Sequence, residues 1–252
     1  MKARDQIRTV GLFGHGAFGR LIVRHLGPRF DLHIHDPNPA GTPEFGRFCS
    51  MQETAACDVV ILAAPVERLA QLIADIAPSL RPGALVLDVG SVKTRPAILM
   101  RDGLPSNVEI ICTHPLFGPQ SAAGGLSGLK MALCPVSGRR WRLVARFLGQ
   151  LGLQVITTTP ERHDRDMAMV QGLTHLIAKV LVQMEPLPTG MTTRSFDLLM
   201  QAIDMVRHDS LELFLTIERD NPYTKDVRER FFSLAAELNE TLSAHDRALT
   251  TG

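Results

Sequence analysis

The sequence predicts an α/β fold, in which a doubly wound and mostly parallel sheet is followed by an all-helical domain. Over residues 1–158, short apolar runs alternate with helical segments, as they do in βαβ units. Glycine serves turns and weakens helices, and 17 of the 20 glycines fall at or before Gly152. These two observations predict a sheet domain over residues 1–158 and a helical domain over residues 159–252.

The elements of the first domain are predicted from apolar runs that end at turn residues. A continuous apolar run such as 58–63 is typical of a strand buried on both faces of a parallel sheet. The predicted strands cover residues 7–13, 30–35, 58–63, 84–88, 108–112, 131–136 and 153–157. The predicted helices between them cover residues 17–26, 67–77, 95–101 and 139–148.

The second domain begins with a helix-start signal. Thr159 supplies an N-cap hydroxyl, Pro160 suits the first helical position, and Glu161 complements the helix dipole. This helix is predicted to run to about Glu185, where a proline follows. Further helices are predicted over residues 196–207, 211–219 and 227–242. Because these segments are too apolar for a helical domain that stands alone in water, we expect a homodimer formed through this domain.

Composition and charge exclude several classes of protein. Apolar residues make up 45% of the 252 residues and charged residues 21%, which is the balance of an ordered globular protein. The net charge of +1 gives no reason to expect nucleic acid or an anionic membrane as a partner. No apolar run approaches the roughly 18–20 residues that span a bilayer, and the first residues lack a leader pattern. We therefore expect a cytoplasmic protein.

The cysteine pattern favours buried thiols over a metal site. Cys49, Cys57, Cys112 and Cys134 form no CxxC pair, and no histidines cluster beside them at zinc-ligand spacing. Three of the four lie in or beside apolar runs. We expect small buried hydrophobic residues in a reducing compartment, and no metal.

A GxGxxG motif follows the first predicted strand and opens a helix, and it consists of Gly14, His15, Gly16, Ala17, Phe18 and Gly19. Such glycines let a pyrophosphate approach backbone N–H groups at a helix N-terminus, where a Cβ would block it. Asp36 ends the next predicted strand, and its carboxylate suits a ribose 2′-hydroxyl and repels a 2′-phosphate. A Rossmann-type site for NAD, rather than NADP, is therefore expected. The alternative for Asp36 is a turn residue that only ends its strand.

Further candidates follow strands at the carboxyl edge of the sheet, where open α/β sheets bind ligands. Ala64 and Pro65 leave room for the cofactor, or serve only helix packing. Ser91 and Lys93 offer a hydroxyl and an ammonium to nicotinamide and substrate, or form a helix cap and a solvated surface group. His114 can accept a proton at neutral pH, and a hydroxyl such as Ser91 could fix its tautomer. The alternative for His114 is an incidental loop histidine.

The first helix of the second domain carries a largely polar stripe on an otherwise apolar surface. Asp164, Ala168, Gln171 and His175 fall on this stripe at spacings of four, three and four. Polar groups on a buried helix need polar partners or a ligand. His175 is therefore either a satisfied core histidine or a substrate contact.

These motifs together resemble the prephenate/arogenate dehydrogenase family of tyrosine biosynthesis, from residue 7 to about residue 176. Besides the glycine motif, the resemblance is carried by Asp88-Val-Gly-Ser-Val-Lys93, His114-Pro-Leu-Phe-Gly-Pro-Gln-Ser121, His163-Asp164 and Gln171-Gly-Leu-Thr-His175. It implies oxidative decarboxylation of prephenate or arogenate with NAD(P)⁺. It also implies that His114 takes the proton of the ring hydroxyl and that Ser91 orients His114 near the nicotinamide. His175, with Gln171, would help to hold the substrate.

The resemblance further implies an arginine of the helical domain that binds a substrate carboxylate, for which bidentate arginine is the usual partner. Arg194 is the first candidate and Arg207 the second, and each is alternatively a solvated helix arginine. Two other functions stay open. One is a different two-domain NAD(P)-dependent reductase of the β-hydroxyacid or imine type, which leaves the motif at 114–121 unexplained. The other is a dinucleotide-binding protein without catalysis.

Overall fold

The structure is a computed structural model that describes residues 7–187 and 190–250. The chain divides into two compact units, of which the first ends at His163 and the second begins at Asp164. The predicted domain boundary at residue 158 stays a prediction. Residues 1–6, part of the segment predicted to lack a leader, lie outside the described residues. Among the residues described, no helix is both long and apolar enough to cross a membrane.

The first unit is built around one eight-stranded sheet, with the order β3-β2-β1-β4-β5-β6-β7-β8. All neighbouring strands are parallel except β6 and β7, which are antiparallel, so the prediction of a doubly wound and mostly parallel sheet is confirmed. The strands are β1 (Thr9–Phe13), β2 (Asp31–His35), β3 (Arg47–Phe48), β4 (Val59–Leu62), β5 (Leu85–Asp88), β6 (Glu109–Pro115), β7 (Lys130–Ser137) and β8 (Gln154–Thr157).

Five helices accompany the sheet: α1 (Ala17–Leu26), α2 (Met51–Ala55), α3 (Val66–Ile76), α4 (Thr94–Gly103) and α5 (Trp141–Gln150). Strand β3 and helix α2 were not predicted, because two and five residues are too few to show a periodic pattern. A local signal for α2 did exist. The Ser50 hydroxyl accepts a hydrogen bond from the Glu53 N–H at 3.2 Å, and the Glu53 carboxylate accepts one from the Ser50 N–H at 3.0 Å.

The core of the first unit lies on both faces of the sheet. In β4, Val60 and Leu62 belong to one buried cluster, while Val59 and Ile61 belong to the other. Helices α3 and α4 contribute to the first cluster, and α1 and α5 contribute to the second. Because successive side chains of a strand point to opposite faces, a sheet covered on both sides needs the continuous apolar runs that the sequence contains.

The second unit is helical, and it continues from helix α6 (Pro160–Met167), which crosses the division between the units. Thr159 caps the start of helix α6 as predicted, because its hydroxyl accepts a hydrogen bond from the Arg162 N–H at 3.2 Å. The helices that follow are α7 (Leu173–Gln183), α8 (Arg194–Asp204), α9 (Leu211–Leu215) and α10 (Thr224–Thr250).

The predicted helix from residue 160 to about residue 185 extends as far as Gln183, but it is not α-helical throughout. A π-helical turn over Ala168–Gly172 separates α6 from α7, and a second π-helical turn over Thr216–Asp220 follows α9. A Cβ on Gly172 would lie 2.9 Å from the Thr224 methyl carbon, so glycine lets these segments approach closely. Because a π-turn has i→i+5 spacing, the predicted spacings of four, three and four do not define one straight stripe.

Candidate active site

The carboxyl ends of five adjacent strands meet at one edge of the sheet. Strands β2, β1, β4, β5 and β6 are consecutive neighbours there, and the candidate residues of the first unit follow or end them. Ala64 is half-buried, and the exposed Pro65 is the N-cap residue of α3. This is the edge at which open α/β sheets bind ligands.

The glycine turn after β1 has the shape that its sequence requires. Gly14 has a φ of +104°, and a Cβ at this position would collide with the Ala63 carbonyl oxygen. A Cβ on Gly19 would collide with the Gly14 carbonyl, whereas a Cβ on Gly16 would meet nothing within 4 Å. Gly16 is the N-cap residue of α1, and no side chain of the described residues caps this helix. The turn therefore leaves an open backbone cradle, rimmed by Ala17 and Phe18, at a helix N-terminus.

Asp36 and His15 connect the end of β2 to the glycine turn. The Asp36 carboxylate accepts hydrogen bonds from the His15 N–H at 2.7 Å and from the Asn38 N–H at 2.8 Å. The buried His15 ring packs edge-on against Phe48, and neither of its nitrogens has a hydrogen-bond partner in the described residues. Burial and the nearby Arg20 lower the pKa of His15, which Asp36 opposes. Unpaired buried nitrogens beside an open cradle and a carboxylate suit a polar ligand.

A buried ion pair lies beneath the site. The Lys93 ammonium donates to the Asp88 carboxylate and, at 2.6 Å, to the Thr113 carbonyl. The Thr113 hydroxyl donates to the Asp88 carbonyl at 2.5 Å. Lys93 is fully enclosed, so the alternative of a solvated lysine is wrong. The alternative of a helix cap at Ser91 is also wrong, because Lys93 is the N-cap residue of α4.

His114 is the penultimate residue of β6 and is 5% exposed, so it is not an incidental loop histidine. Its Nδ1 lies 2.9 Å from Nε2 of His163, which is also buried. Burial, together with the neighbouring His163 and Lys93, holds the pKa of His114 well below its ordinary value of 6.5. The ring is therefore neutral at neutral pH and is able to accept a proton.

Ser91 is half-buried in the loop between β5 and α4. Its hydroxyl makes no hydrogen bond to another described residue, and the contact at Nδ1 of His114 comes from His163. The structure therefore does not show Ser91 fixing the tautomer of His114.

In the second unit, His175 is a buried ring with both nitrogens engaged. Its Nδ1 lies 2.9 Å from the Gln171 carbonyl oxygen, and its Nε2 lies 3.0 Å from the Asp209 carboxylate. Gln171 itself is half-buried in the first π-helical turn. The ring therefore has the partners of a satisfied core histidine, and its predicted contact with substrate stays a prediction.

The two candidate arginines differ in surroundings. Arg194 is the exposed first residue of α8. The Arg207 side chain is only 24% exposed, and its guanidinium pairs with Glu185 at 2.7 Å and with Asp204 at 2.8 Å. In the sequence, Arg207 lies two residues before Asp209, the partner of His175.

No disulfide joins the cysteines of the described chain, and Cys57, Cys112 and Cys134 are buried, as predicted. Burial raises the pKa of Cys57 to about 11. Among the described residues, no three His, Cys, Asp or Glu side chains converge on a point that could hold a metal ion.

Three relationships at the site were not predicted: the contact of His163 with His114, the enclosure of Lys93 beside Asp88, and the contact of Asp209 with His175. The motif His163-Asp164 was noted as part of the resemblance and as a helix start at which Asp164 complements the dipole, without a role for His163. The only sequence signal for the ion pair was the spacing of Asp88 and Lys93, which lie five residues apart between two apolar segments.

The strand order, the glycine turn after β1 and the carboxylate after β2 define the class of protein: a Rossmann-type nucleotide-binding protein with a helical unit after it. Two family models match the chain. "Prephenate dehydrogenase, nucleotide-binding domain" matches residues 44–157, and "Prephenate dehydrogenase, dimerization domain" matches residues 159–249. The chain belongs to the prephenate/arogenate dehydrogenase family, as its motifs predicted.

Individual relatives agree with this family. "Probable arogenate/prephenate dehydrogenase" of Methanocaldococcus jannaschii is 31% identical over 202 residues, which are 75% of this chain and 45% of that protein. "Arogenate dehydrogenase 2, chloroplastic" of Arabidopsis thaliana is 29% identical over 248 residues, which are 91% of this chain and 69% of that protein. The chain thus spans less than half the length of the first relative.

A solved structure shares the fold. Prephenate dehydrogenase from A. aeolicus, in complex with hydroxyphenyl propionate and NAD⁺, has a TM-score of 0.75 and 22% sequence identity. The match covers 96% of this chain and 93% of that one.

Proposed function

We propose that the protein catalyses the oxidative decarboxylation of prephenate, arogenate or both with NAD⁺, giving 4-hydroxyphenylpyruvate or tyrosine, with His114 as the base. The observation that carries this proposal is His114 itself. It is an enclosed neutral imidazole at the carboxyl end of β6, in a chain of this family. The NAD⁺ and hydroxyphenyl propionate of the A. aeolicus complex support the cofactor and the substrate class.

The first unit holds residues suited to a dinucleotide. The glycine turn, with Gly14, Gly16 and Gly19, leaves room for a pyrophosphate at the N-terminus of α1. Asp36 and the unpaired nitrogens of His15 are the polar groups for the adenosine ribose. Because a carboxylate at the end of β2 repels a 2′-phosphate, we propose NAD rather than NADP.

The proposed reaction transfers a hydride to the cofactor and a proton to the protein. Bound NAD⁺ would supply the acceptor for the hydride of the ring carbon, and the ring carboxylate would leave as carbon dioxide. Nε2 of His114 takes the proton of the ring hydroxyl: the O–H bond breaks, an N–H bond forms, and the substrate oxygen becomes a carbonyl oxygen. Loss of carbon dioxide makes the ring aromatic, and the resulting phenolate oxygen takes up a proton to give the phenol of the product. The Ser91 hydroxyl, unpaired within the described chain, orients the reacting hydroxyl and His114.

For the second unit, we propose that His175 and Gln171 contact the substrate and that an arginine binds a substrate carboxylate. Arg194 was the first candidate from sequence. The partial burial of Arg207 and its existing pairing with two carboxylates support Arg207 instead. A substrate carboxylate would take the position of one of the carboxylates that now pair with this guanidinium.

We further propose a homodimer through the second unit and a cytoplasmic location. The match of residues 159–249 to a dimerization domain supports the dimer. So do large apolar side chains that are exposed in the single chain, among them Met169, Val170, Met184, Phe232 and Leu238. Light scattering at micromolar concentration is expected to give about twice the monomer mass of 27.7 kDa. A monomeric mass would contradict this proposal.

A paired assay tests the function. Prephenate and arogenate are each supplied with NAD⁺ and with NADP⁺, and turnover of at least one cyclohexadiene with NAD⁺ is expected. 3-Hydroxyisobutyrate serves as the substrate of the alternative two-domain reductases. Turnover of neither cyclohexadiene would overturn the proposed function, and turnover of the hydroxyacid alone would favour the alternative.

A further inference from the structure

The rings of His114 and His163 form a buried pair in the first unit. Their closest nitrogens, Nδ1 of His114 and Nε2 of His163, are 2.9 Å apart, and the ring planes meet at 66°. The two residues are 5% and 3% exposed. His163 is held by the start of α6, where its own N–H donates to the Thr159 carbonyl at 2.9 Å. The contact is therefore made by two elements of fixed backbone.

The chemistry of imidazole limits this contact to two arrangements. A neutral imidazole has one N–H donor and one acceptor nitrogen. If Nδ1 of His114 carries the hydrogen, it donates to His163, and Nε2 of His114 is free to act as a base. If Nε2 of His163 carries the hydrogen instead, Nδ1 of His114 accepts it, and Nε2 of His114 is already protonated. The tautomer of His163 thus decides whether His114 can act as a base.

We propose that His163 is a positioning residue that accepts the Nδ1 hydrogen of His114 and so keeps Nε2 of His114 available to take a proton. This inference rests on the proposed role of His114 and adds the group that sets its tautomer. When Nε2 of His114 gains the substrate proton, its ring becomes an imidazolium, and the hydrogen bond from Nδ1 to His163 becomes charge-assisted and stronger. No atom is lost or gained beyond that one proton.

The surrounding charges fit this role. The groups that act on His114 in the described chain are His163, from α6, and Lys93, from the loop before α4. The Lys93 charge is itself paired with the Asp88 carboxylate. The hydrogen-bond partner found for Nδ1 of His114 is thus a second imidazole and not a carboxylate.

A consequence for pH dependence follows from the pair. An added proton on Nε2 of His114 blocks the base directly. Because His163 and Lys93 both lower the pKa of His114, the acid limb of activity depends on His163 as well as on His114.

The experiment uses His163→Gln and His163→Phe in the full chain. The Gln side-chain oxygen can reach the position of Nε2 and accept the hydrogen bond, but it does not titrate, while Phe removes the acceptor. His245→Gln, on the exposed surface of α10, is the matched control. Thermal unfolding and NAD⁺ binding check that each variant is folded.

The first readout is the tautomer of His114 in the resting protein, from long-range ¹⁵N–¹H NMR of the ring nitrogens. We expect the Nδ1–H tautomer in the natural protein, in His163→Gln and in the control, and its loss in His163→Phe. This readout needs no substrate, so it decides the role of His163 even if the proposed function fails. An Nε2–H tautomer of His114 in the natural protein would overturn the inference.

The second readout is the pH profile of kcat/KM. We expect His163→Gln to stay within about tenfold of the natural rate at its optimum, and His163→Phe to lose about 10²-fold, the lower range for general-base catalysis. In His163→Gln the acid limb should move to higher pH, because His163 lowers the pKa of His114 and its removal therefore raises that pKa. Equal rates in the two variants with an unmoved acid limb would show a merely structural role.

Discussion

The ammonium of Lys93 and the carboxylate of Asp88 form an ion pair that is sealed from solvent beneath the end of β5. Lys93 is 0% exposed and Asp88 is 2% exposed, and the pair is joined to β6 through the Thr113 carbonyl. Charges are enclosed in this way only when each finds a close partner, because desolvation of an isolated charge is very costly. The pair thus fixes the loop that carries Ser91 against the strand that carries His114.

Replacement of Lys93 by Met should destabilise the protein by about 3–5 kcal/mol, because it leaves the Asp88 carboxylate buried without its cation. Urea unfolding measures the change. The matched control is Arg24→Met, which breaks an ion pair with Glu44 whose side chains are 65% and 52% exposed, and it should cost only about 0–1 kcal/mol. Similar losses in the two variants would contradict the burial argument.

Replacement of His114 by Ala should lower kcat by at least about 10²-fold, because it removes the proposed base. The affinity for NAD⁺, measured by calorimetry, should stay unchanged, since no atom of His114 belongs to the glycine turn. An unaltered kcat would remove His114 from the mechanism, and a lost affinity would point to a general folding defect.

The natural protein should keep its activity on the acid side of the ordinary histidine pKa. Burial lowers the pKa of His114, so its ring stays neutral below pH 6.5 and the acid limb of kcat/KM should lie below that value. The depressed pKa also affects the stability of the fold. As the pH falls below about 6.5, this histidine binds a proton in the unfolded chain but not yet in the folded one, so the free energy of unfolding decreases. An acid limb at or above 6.5 would contradict the depressed pKa.

Replacement of Asp36 by Ser should raise the ratio of kcat/KM with NADP⁺ to that with NAD⁺ by at least about tenfold, since loss of one charge repulsion of about 1.4 kcal/mol corresponds to that factor. Serine keeps an acceptor for the His15 N–H. Asp31→Ser, at the opposite end of β2, is the control and should leave the ratio unchanged. An unchanged ratio in Asp36→Ser would show that the ribose assignment is wrong.

Replacement of Gly14 by Ala should weaken NAD⁺ binding and destabilise the fold by more than the same change at Gly41. Both glycines have positive φ, which costs alanine about 1–2 kcal/mol. Only at Gly14 would the new Cβ also meet a backbone oxygen, that of Ala63, whereas nothing lies within 4 Å at Gly41. Thermal unfolding and cofactor titration compare the two variants. Equal effects would show that the destabilisation comes from the positive φ alone and not from the contact with the Ala63 oxygen.

Replacement of Arg207 by Gln should raise KM by about 10–100-fold, the range for losing a charged hydrogen bond of about 1.5–3 kcal/mol, with a smaller effect on kcat. The matched variant Arg194→Gln, at the exposed start of α8, should leave KM nearly unchanged. Steady-state rates with the preferred cyclohexadiene decide between them. The reverse result would restore Arg194 as the carboxylate partner.

Much of the first unit followed from sequence because its signals are local. The apolar run before Gly14 and the one before Ala64 each end at the predicted edge of the sheet, since a strand buried on both faces must be continuously apolar. The contact of His114 with His163 joins residues 49 positions apart, with β7, α5 and β8 between them, and no spacing rule reaches that far. The enclosure of Lys93 was missed because lysine is rarely buried unless it is paired.

The second unit shows where periodicity misleads. The polar stripe was drawn with 3.6 residues per turn, and the π-helical turn over Ala168–Gly172 departs from that period. Gly172, in this π-turn, packs closely against Thr224, and that contact lies outside any local window of sequence.

That same π-turn makes the orientation of helix α7 sensitive to the deletion of a single residue. A π-turn is an α-helix with one residue inserted, so deletion of a single codon within 168–172 would restore the ordinary period. Everything after the deletion would turn by about 100° around the helix axis, since 3.6 residues complete a turn. His175 would then leave the Asp209 carboxylate that it now faces. The reading frame and nearly all side chains would be kept, yet His175, the proposed substrate contact, would point in another direction.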